Sequence, residues 1–290
     1  MSEIEREIAS QPACWDLAAR RAREARTALP KDGARVAAVG CGTSLFIGQA
    51  FAALREGLGR GETDAFPASE APRERRYDAA LAISRSGTTT EVRDYLRAVR
   101  LRRIALVGVP DTPVASAADV VVPLEFADER SVVQTRFATS ALALLRAHLG
   151  EDLKPVITQG EAALEAELPI DPDTNAHYVF LGQGWGVGMA NEAALKLREA
   201  AQAWTESYPA MEFRHGPISV AGTDSVVWAV GPVDAAVLED AADAGATVVG
   251  GSRDPMAELI VIQRTAVKLA QGRGLDPDHP AHLTRSVVLS

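Results

Sequence analysis

Between positions 84 and 90 the chain places five hydroxyl side chains, Ser84, Ser86, Thr88, Thr89 and Thr90, around Arg85 and Gly87. An apolar run, Leu81-Ala-Ile, precedes them, and a helical pattern follows from Glu91 to about Arg102. The first turn of a helix carries unpaired N–H groups and a partial positive charge. Hydroxyl donors at the same place make a neutral cradle for a dianion such as a sugar phosphate. Ser and Thr also favour ordinary helix caps, so both readings stand on these residues alone. A second candidate is Gly40-Cys-Gly42-Thr43-Ser44. Its glycines allow a sharp bend and a close approach to a ligand. It is not a dinucleotide fingerprint, because the third glycine of GxGxxG would fall on Leu45.

Proton chemistry needs a base and an acid. Glu192, Lys196 and Glu199 are spaced i, i+4 and i+7 on one face of a predicted helix. Two carboxylates around an ammonium are also a common solvated stripe. Downstream, Glu206 and Glu212-Phe-Arg-His215-Gly-Pro217 read as a polar loop. A histidine followed by Gly-Pro has little reason to lie in a core, and its usual pKa suits proton transfer near neutral pH. A carboxylate beside it, in a phosphate-binding α/β protein, suggests proton shuttling at a carbon next to a carbonyl.

The elements that must position these groups alternate. Residues 3–29 read as one helix or two. Strands are predicted at Arg35–Val39, 79–84, Ile104–Gly108 and Val120–Leu124, with helices at 45–58, 91–102 and 136–149. A linker rich in Asp, Glu, Pro and Gly is predicted over 150–175, holding a short helix at 159–167. A second set begins at His177–Leu181. It has a glycine-rich turn at 182–188, a helix to about Ala203, strands at Ser225–Val230 and Ala246–Val249, helices at 234–244 and 256–271, and a turn-rich tail. Such alternation implies parallel sheets covered by helices on both faces. Ligands then sit at the carboxyl ends of the strands, where both hydroxyl-rich turns fall.

The bulk numbers fit. The chain has 290 residues, enough for one large domain or two; 47% are hydrophobic and 24% charged, and the net charge is -9. An acidic balance argues against nucleic acid or an anionic membrane as the main partner. Cys14 and Cys41 stand in no metal-ligand spacing. The charged start and the lack of a long apolar run lead us to expect a cytoplasmic protein with reduced thiols.

Six segments, in order, resemble the sugar isomerase (SIS) domain family, above all the isomerase half of glucosamine-fructose-6-phosphate aminotransferase and related aminosugar-phosphate deaminases and isomerases. They are Gly40–Ser44, Ser84–Glu91, Glu129–Thr135, Ala194–Glu199, His215–Pro217, and Asp276–Pro280 with Leu283–Val287. The resemblance implies two tandem SIS domains, each a three-layer α/β/α sandwich on a mainly parallel, flavodoxin-like sheet. We expect a helical segment at 1–30, the first domain at 31–155 and the second at 170–290. By the same resemblance Ser84, Ser86 and Thr89 would bind the phosphate of a hexose 6-phosphate, and Thr43, Ser44 and Val132 would line the sugar. Gly42, Arg85 and Lys196 complete the expected substrate-binding set. Glu199 would move a proton between C1 and C2. His215 would open the ring in a partner subunit's site, which implies a homodimer. No metal or organic cofactor is expected.

Two departures from the family qualify this. No glutaminase segment opening with a nucleophilic cysteine is present, and position 2 is Ser. The family's imine-forming lysine near the C-terminus is matched by Arg285, which stays protonated and cannot be that nucleophile. Arg285 could instead pair with phosphate or a sugar oxygen. The resulting expectation is an aldose–ketose isomerase or an aminosugar-phosphate deaminase. A fructosamine 6-phosphate deglycase and a non-catalytic sugar-phosphate sensor are the alternatives. A nucleotide-binding oxidoreductase is disfavoured by Val187, where a third glycine would be needed, and a transcriptional regulator by the acidic N-terminal helix.

Overall fold

A computed structural model of the chain describes residues 1–171 and 176–289. Residues 172–175 of the expected linker, and Ser290 at the end of the expected second domain, lie outside the described residues. In chain order the elements are α1 (Glu3–Ala9), α2 (Gln11–Glu24), β1 (Val36–Gly40), α3 (Thr43–Gly57), β2 (Thr63–Pro67), β3 (Ala79–Ser84), α4 (Thr90–Ala98), β4 (Arg102–Val107), α5 (Pro113–Ser116), β5 (Val120–Pro123), α6 (Arg136–His148) and α7 (Lys154–Glu165). Then come β6 (His177–Gly182), α8 (Gly186–Ala201), β7 (Trp204–Pro209), β8 (Ser225–Ala229), α9 (Ala235–Asp243), β9 (Thr247–Gly250) and α10 (Pro255–Gly272).

They form two compact units. One holds residues 13–130, 134–154 and 284–289 around a parallel five-stranded sheet ordered β2-β1-β3-β4-β5. The other holds residues 1–12, 131–133 and 155–283 around a parallel four-stranded sheet ordered β7-β6-β8-β9. The units are therefore interleaved in sequence, where the motif reading drew continuous segments. The first helix packs with the four-stranded unit, and the tail from Thr284 packs with the five-stranded one.

In the five-stranded unit every residue of β1 and β3 is buried, as expected for central parallel strands covered on both faces. Val39, Ala80 and Ala82 pack against Val92, Tyr95 and Leu96 of α4. Trp15 on α2 is fully buried, and its Nε1–H donates to Thr139 Oγ1 at 2.8 Å, tying α2 to α6. In the four-stranded unit Val179, Leu181 and Val227 pack against Val237 and Ala241 of α9 and against Phe213. The start of α1 is capped twice. Ser2 and Glu5 form a capping box, and the Asp278 carboxylate accepts from the N–H groups of Glu3 and Ile4 at 2.9 and 2.7 Å.

Three details differ from the sequence reading. Strand β2 gave too weak a pattern to be read, because Thr63-Asp-Ala-Phe-Pro67 is an edge strand with one polar side chain buried. Glu206 was expected in a loop and lies on β7. That strand also forms a sheet edge and is only half-buried, so its polar composition hid it. The expected linker contains the full helix α7.

Candidate functional site

In the five-stranded sheet the chain order reverses between β1 and β3, and open α/β sheets bind ligands at the carboxyl ends of the strands beside such a point. Both candidate loops are there. Gly40 ends β1, and a Cβ on it would come within 2.7 Å of Ser44. Gly42 has φ +54 and leads into α3, whose first residues Thr43 and Ser44 are buried. Cys41 lies between the two glycines. Burial and the Glu91 carboxylate push its thiol pKa up, so it stays a thiol.

The loop after β3 is shaped by its own hydroxyls. Ser84 Oγ accepts from Gly87 N–H and Ser86 Oγ from Thr88 N–H, both at 3.2 Å. Gly87 has φ +66, and any side chain there would collide with Thr112. Thr89, at the cap position of α4, makes no capping bond through its side chain. Two of the hydroxyls thus fold the loop rather than cap the helix, and the Thr90 N–H at the start of α4 donates to the Val287 carbonyl at 3.4 Å.

The sequence reading gave Ser286 no role, yet its hydroxyl lies 3.1 Å from Ser86 Oγ and 2.8 Å from Thr88 Oγ1. The tail around it is pinned. Leu289 N–H donates to Thr90 Oγ1 at 2.9 Å, and Arg85 Nη2 donates to the Arg285 carbonyl at 2.8 Å. No local signal joins residues about two hundred positions apart. Arg85, expected to bind substrate, is buried and stands 3.7 Å from Glu129 Oε2. Arg285, also expected at the chemistry, directs its guanidinium to the Asp128 carboxylate and the Glu129 carbonyl. The Glu129 carboxylate accepts from Thr135 N–H and Arg136 N–H at 2.5 and 2.7 Å, holding the start of α6.

In the four-stranded unit the Glu192, Lys196 and Glu199 row is not a solvated stripe. Glu192 and Lys196 are buried, and Lys196 Nζ lies 3.2 Å from Glu192 Oε1 and 2.6 Å from Glu199 Oε2. Burial alone would lower the Lys196 pKa, but the two carboxylates outweigh it and hold it above the ordinary lysine value. Glu199 keeps partial exposure, at 20% of its side chain. The glycine turn at 182–188 opens α8, and Glu199 lies near the other end, about 20 Å along the axis at ~1.5 Å per residue. That turn and that carboxylate therefore do not meet.

His215 is exposed, and it ends a one-turn helix, Ala210–Arg214, anchored by buried Phe213 and by an Arg214–Asp240 ion pair. Gly216 follows with φ +128, which favours glycine. Val132 is half-buried, and its N–H donates to the Asp278 carbonyl at 3.4 Å. The expected site residues thus divide. Gly42, Thr43, Ser44, Ser84, Arg85, Ser86, Thr89 and Arg285 are in one unit; Val132, Lys196, Glu199 and His215 are in the other.

No family model matches the chain. Curated relatives do. It is 27% identical over 327 residues to the glutamine–fructose-6-phosphate aminotransferase of Thermotoga maritima, covering 90% of this chain and 53% of that protein. It is also 27% identical over 315 residues to that of Gloeobacter violaceus, covering 88% and 52%. The chain spans about half the length of the curated relatives it matches. Among solved structures, a glucosamine-6-phosphate deaminase from Thermotoga maritima superposes with a TM-score of 0.85 at 24% identity, over 99% of this chain and all of that one. The C-terminal domain of glucosamine-fructose-6-phosphate aminotransferase from Francisella tularensis gives 0.82 at 21%, over 97% and 98%. A tagatose-6-phosphate ketose/aldose isomerase from Escherichia coli gives 0.80 at 19%, over 98% and 97%. These structural likenesses show the fold. The resemblance carried by the six motifs and the sequence matches agree: the homologues of this chain are the isomerase (SIS) half of glutamine–fructose-6-phosphate aminotransferases.

Proposed function

We propose that the chain is a phosphosugar-binding enzyme with two SIS-type domains. It moves a proton between C1 and C2 of a hexose or hexosamine 6-phosphate, as an aldose–ketose isomerase or an aminosugar-phosphate deaminase. The observation that carries the reading is the hydroxyl-lined loop between β3 and α4 at the reversal point of a parallel sheet. The hydroxyls of Ser86, Thr88 and Thr89, at the positive end of the α4 dipole, supply donors to a phosphate without needing a basic surface. Thr43 and Ser44, on the neighbouring loop, supply hydroxyls for sugar oxygens. The aminotransferase likeness supports a phosphosugar as the ligand.

Glu199 is the proposed base. Its carboxylate is partly exposed and is held by Lys196 at 2.6 Å. It removes the proton from C2 of an aldose, the electrons form an enediol, and the same carboxylate returns the proton to C1. In the deaminase variant the equivalent proton transfer precedes loss of the amine. His215, exposed on its own chain, is the proposed ring-opening group, delivered to a second copy in a homodimer. A sensor that only binds has no use for a partly exposed Glu199 held by a buried Glu192–Lys196 pair, since buried ion pairs are at best weakly stabilising. A deglycase acting on N-substituted fructosamine 6-phosphates shares the same proton step and stays within the proposal.

Incubation in deuterium oxide with fructose 6-phosphate, glucosamine 6-phosphate and an N-substituted fructosamine 6-phosphate tests this. Solvent deuterium should enter the carbon next to the carbonyl of one of them. Glu199→Gln should slow that exchange by ~10²–10⁴, the usual contribution of a positioned base. Exchange at the wild-type rate in the variant would remove Glu199 from the mechanism.

A further inference from the structure

At the amino end of the four-stranded sheet a pocket opens, of about 590 Å³, lined by Ala176, His177, Trp204, Glu206, Val220 and the segment 222–225. None of these residues belongs to the proposed phosphosugar set. Its inner wall is an ordered hydrogen-bonded row from three adjacent strands. Ser225 Oγ, buried, accepts from Gly222 N–H at 3.2 Å. It also lies 3.0 Å from His177 Nδ1, and His177 Nε2 lies 3.1 Å from Glu206 Oε2. Glu206 also accepts from the Tyr208 hydroxyl, whose pKa is raised by burial and by that carboxylate. The carboxylate is thus fixed in place, with about a quarter of its side chain still exposed to the pocket mouth.

The outer wall has a different character. Trp204 is 74% exposed and Val220 61% exposed, both large apolar side chains on the pocket rim. Asp224, on the same rim, is exposed. Among the described residues no Lys or Arg lines the pocket. An indole face beside two carboxylates, with no Lys or Arg among the described lining residues, is the arrangement that attracts an organic cation. The same wall repels phosphate, so the ligand is not the sugar phosphate of the proposed function. The volume lies within the ~300–1,000 Å³ usual for small-molecule sites.

We propose that this pocket is a second binding site, for a small organic ammonium ion, with Trp204 as its aromatic face and Glu206 and Asp224 as its charge partners. The test uses benzylamine as the cationic probe and benzyl alcohol as its neutral counterpart. Trp15 and Trp228 are fully buried and Trp185 is half-buried, and all three are common to the native protein and Trp204→Phe, so the emission difference between the two reports the exposed Trp204 indole. Benzylamine should quench that difference signal saturably, and benzyl alcohol should bind about tenfold more weakly. Glu206→Gln should lose about tenfold in benzylamine affinity, and Asp224→Asn several-fold. Asp224 is exposed, so its variant decides the matter if circular dichroism shows that Glu206→Gln has not folded. Equal binding of amine and alcohol, or native affinity in the folded carboxylate variants, would overturn the proposal. So would a Trp204 signal that follows protein concentration rather than amine, which would mark the rim as a contact between copies. No sugar enters the measurement, so its outcome is independent of the isomerase reading.

Discussion

Ser86 meets three hydroxyl or amide groups at once: Thr88 N–H, Thr88 Oγ1 and Ser286 Oγ. It is also the residue whose loss most cleanly tests the cradle, because it is half-buried while Ser84 lies inside the loop. Ser86→Ala should weaken a hexose 6-phosphate by about 1–3 kcal/mol, the range for leaving a charged acceptor without a donor. The unphosphorylated sugar should bind as before, as read by calorimetry; equal weakening of both would place the phosphate elsewhere. Arg285 makes the opposite case at the same scale. A guanidinium tied to Asp128 and the Glu129 carbonyl acts as a latch for the tail. Borohydride should therefore trap no sugar on it, by mass spectrometry of the reduced mixture, and Asp128→Asn should speed amide exchange across 284–289. These two residues show where the sequence was legible. The hydroxyl cluster announced itself because its members are contiguous and their types favour anions. Asp128 and Ser286 carried no such signal, because their roles exist only after the tail has folded back on the loop.

At the scale of the element, helix α8 carries a charged row whose spacing could be read but whose burial could not. An i, i+4, i+7 pattern fixes which side chains share a face, whereas exposure depends on what packs over that face. Here α10 packs alongside α8 within the same unit, and Lys196 ends at 1% exposure between two carboxylates. Its proton is held more tightly in the folded chain than in the unfolded one. The triad's contribution to stability is therefore full below the ordinary lysine value of about 10.5 and is lost as pH rises through the raised folded value. Lys196→Met removes the ammonium beside the buried Glu192 carboxylate, so it should cost about 3–5 kcal/mol at neutral pH. It should also remove the alkaline fall in stability expected of the native chain. Guanidinium unfolding across the alkaline range reads both effects, and an unchanged alkaline fall in the variant would assign it to other groups. The edge strands β2 and β7 illustrate the converse limit. Half-buried strands need only weak patterns, so Thr63–Pro67 and Trp204–Pro209 looked like loops although their pairing is regular.

Whole-molecule organisation was legible as alternation and illegible as partition. Buried central strands such as β3 and β6 read as apolar runs between helices, which is enough to imply parallel sheets. The placement of the chain ends was hidden, because it rests on long-range bonds such as those of Asp278 to the start of α1 and of Leu289 to Thr90. That interleaving has a consequence for assembly. Glu199 and His215 belong to the same unit, and His215 is exposed at the end of its short helix. If two copies complete each other's sites, the defects of Glu199→Gln and His215→Asn subunits complement. Mixed after subunit exchange, the two inactive variants should form heterodimers in which one site receives an intact Glu199 and an intact His215 while the other receives neither. At equal amounts and random pairing half of the dimers are mixed, and half the sites in those are intact, so activity should recover to about a quarter of the native level. Sedimentation of differently tagged copies establishes the exchange independently. With exchange proven, activity that stays at the level of the separate variants would mean that each site is built from one chain.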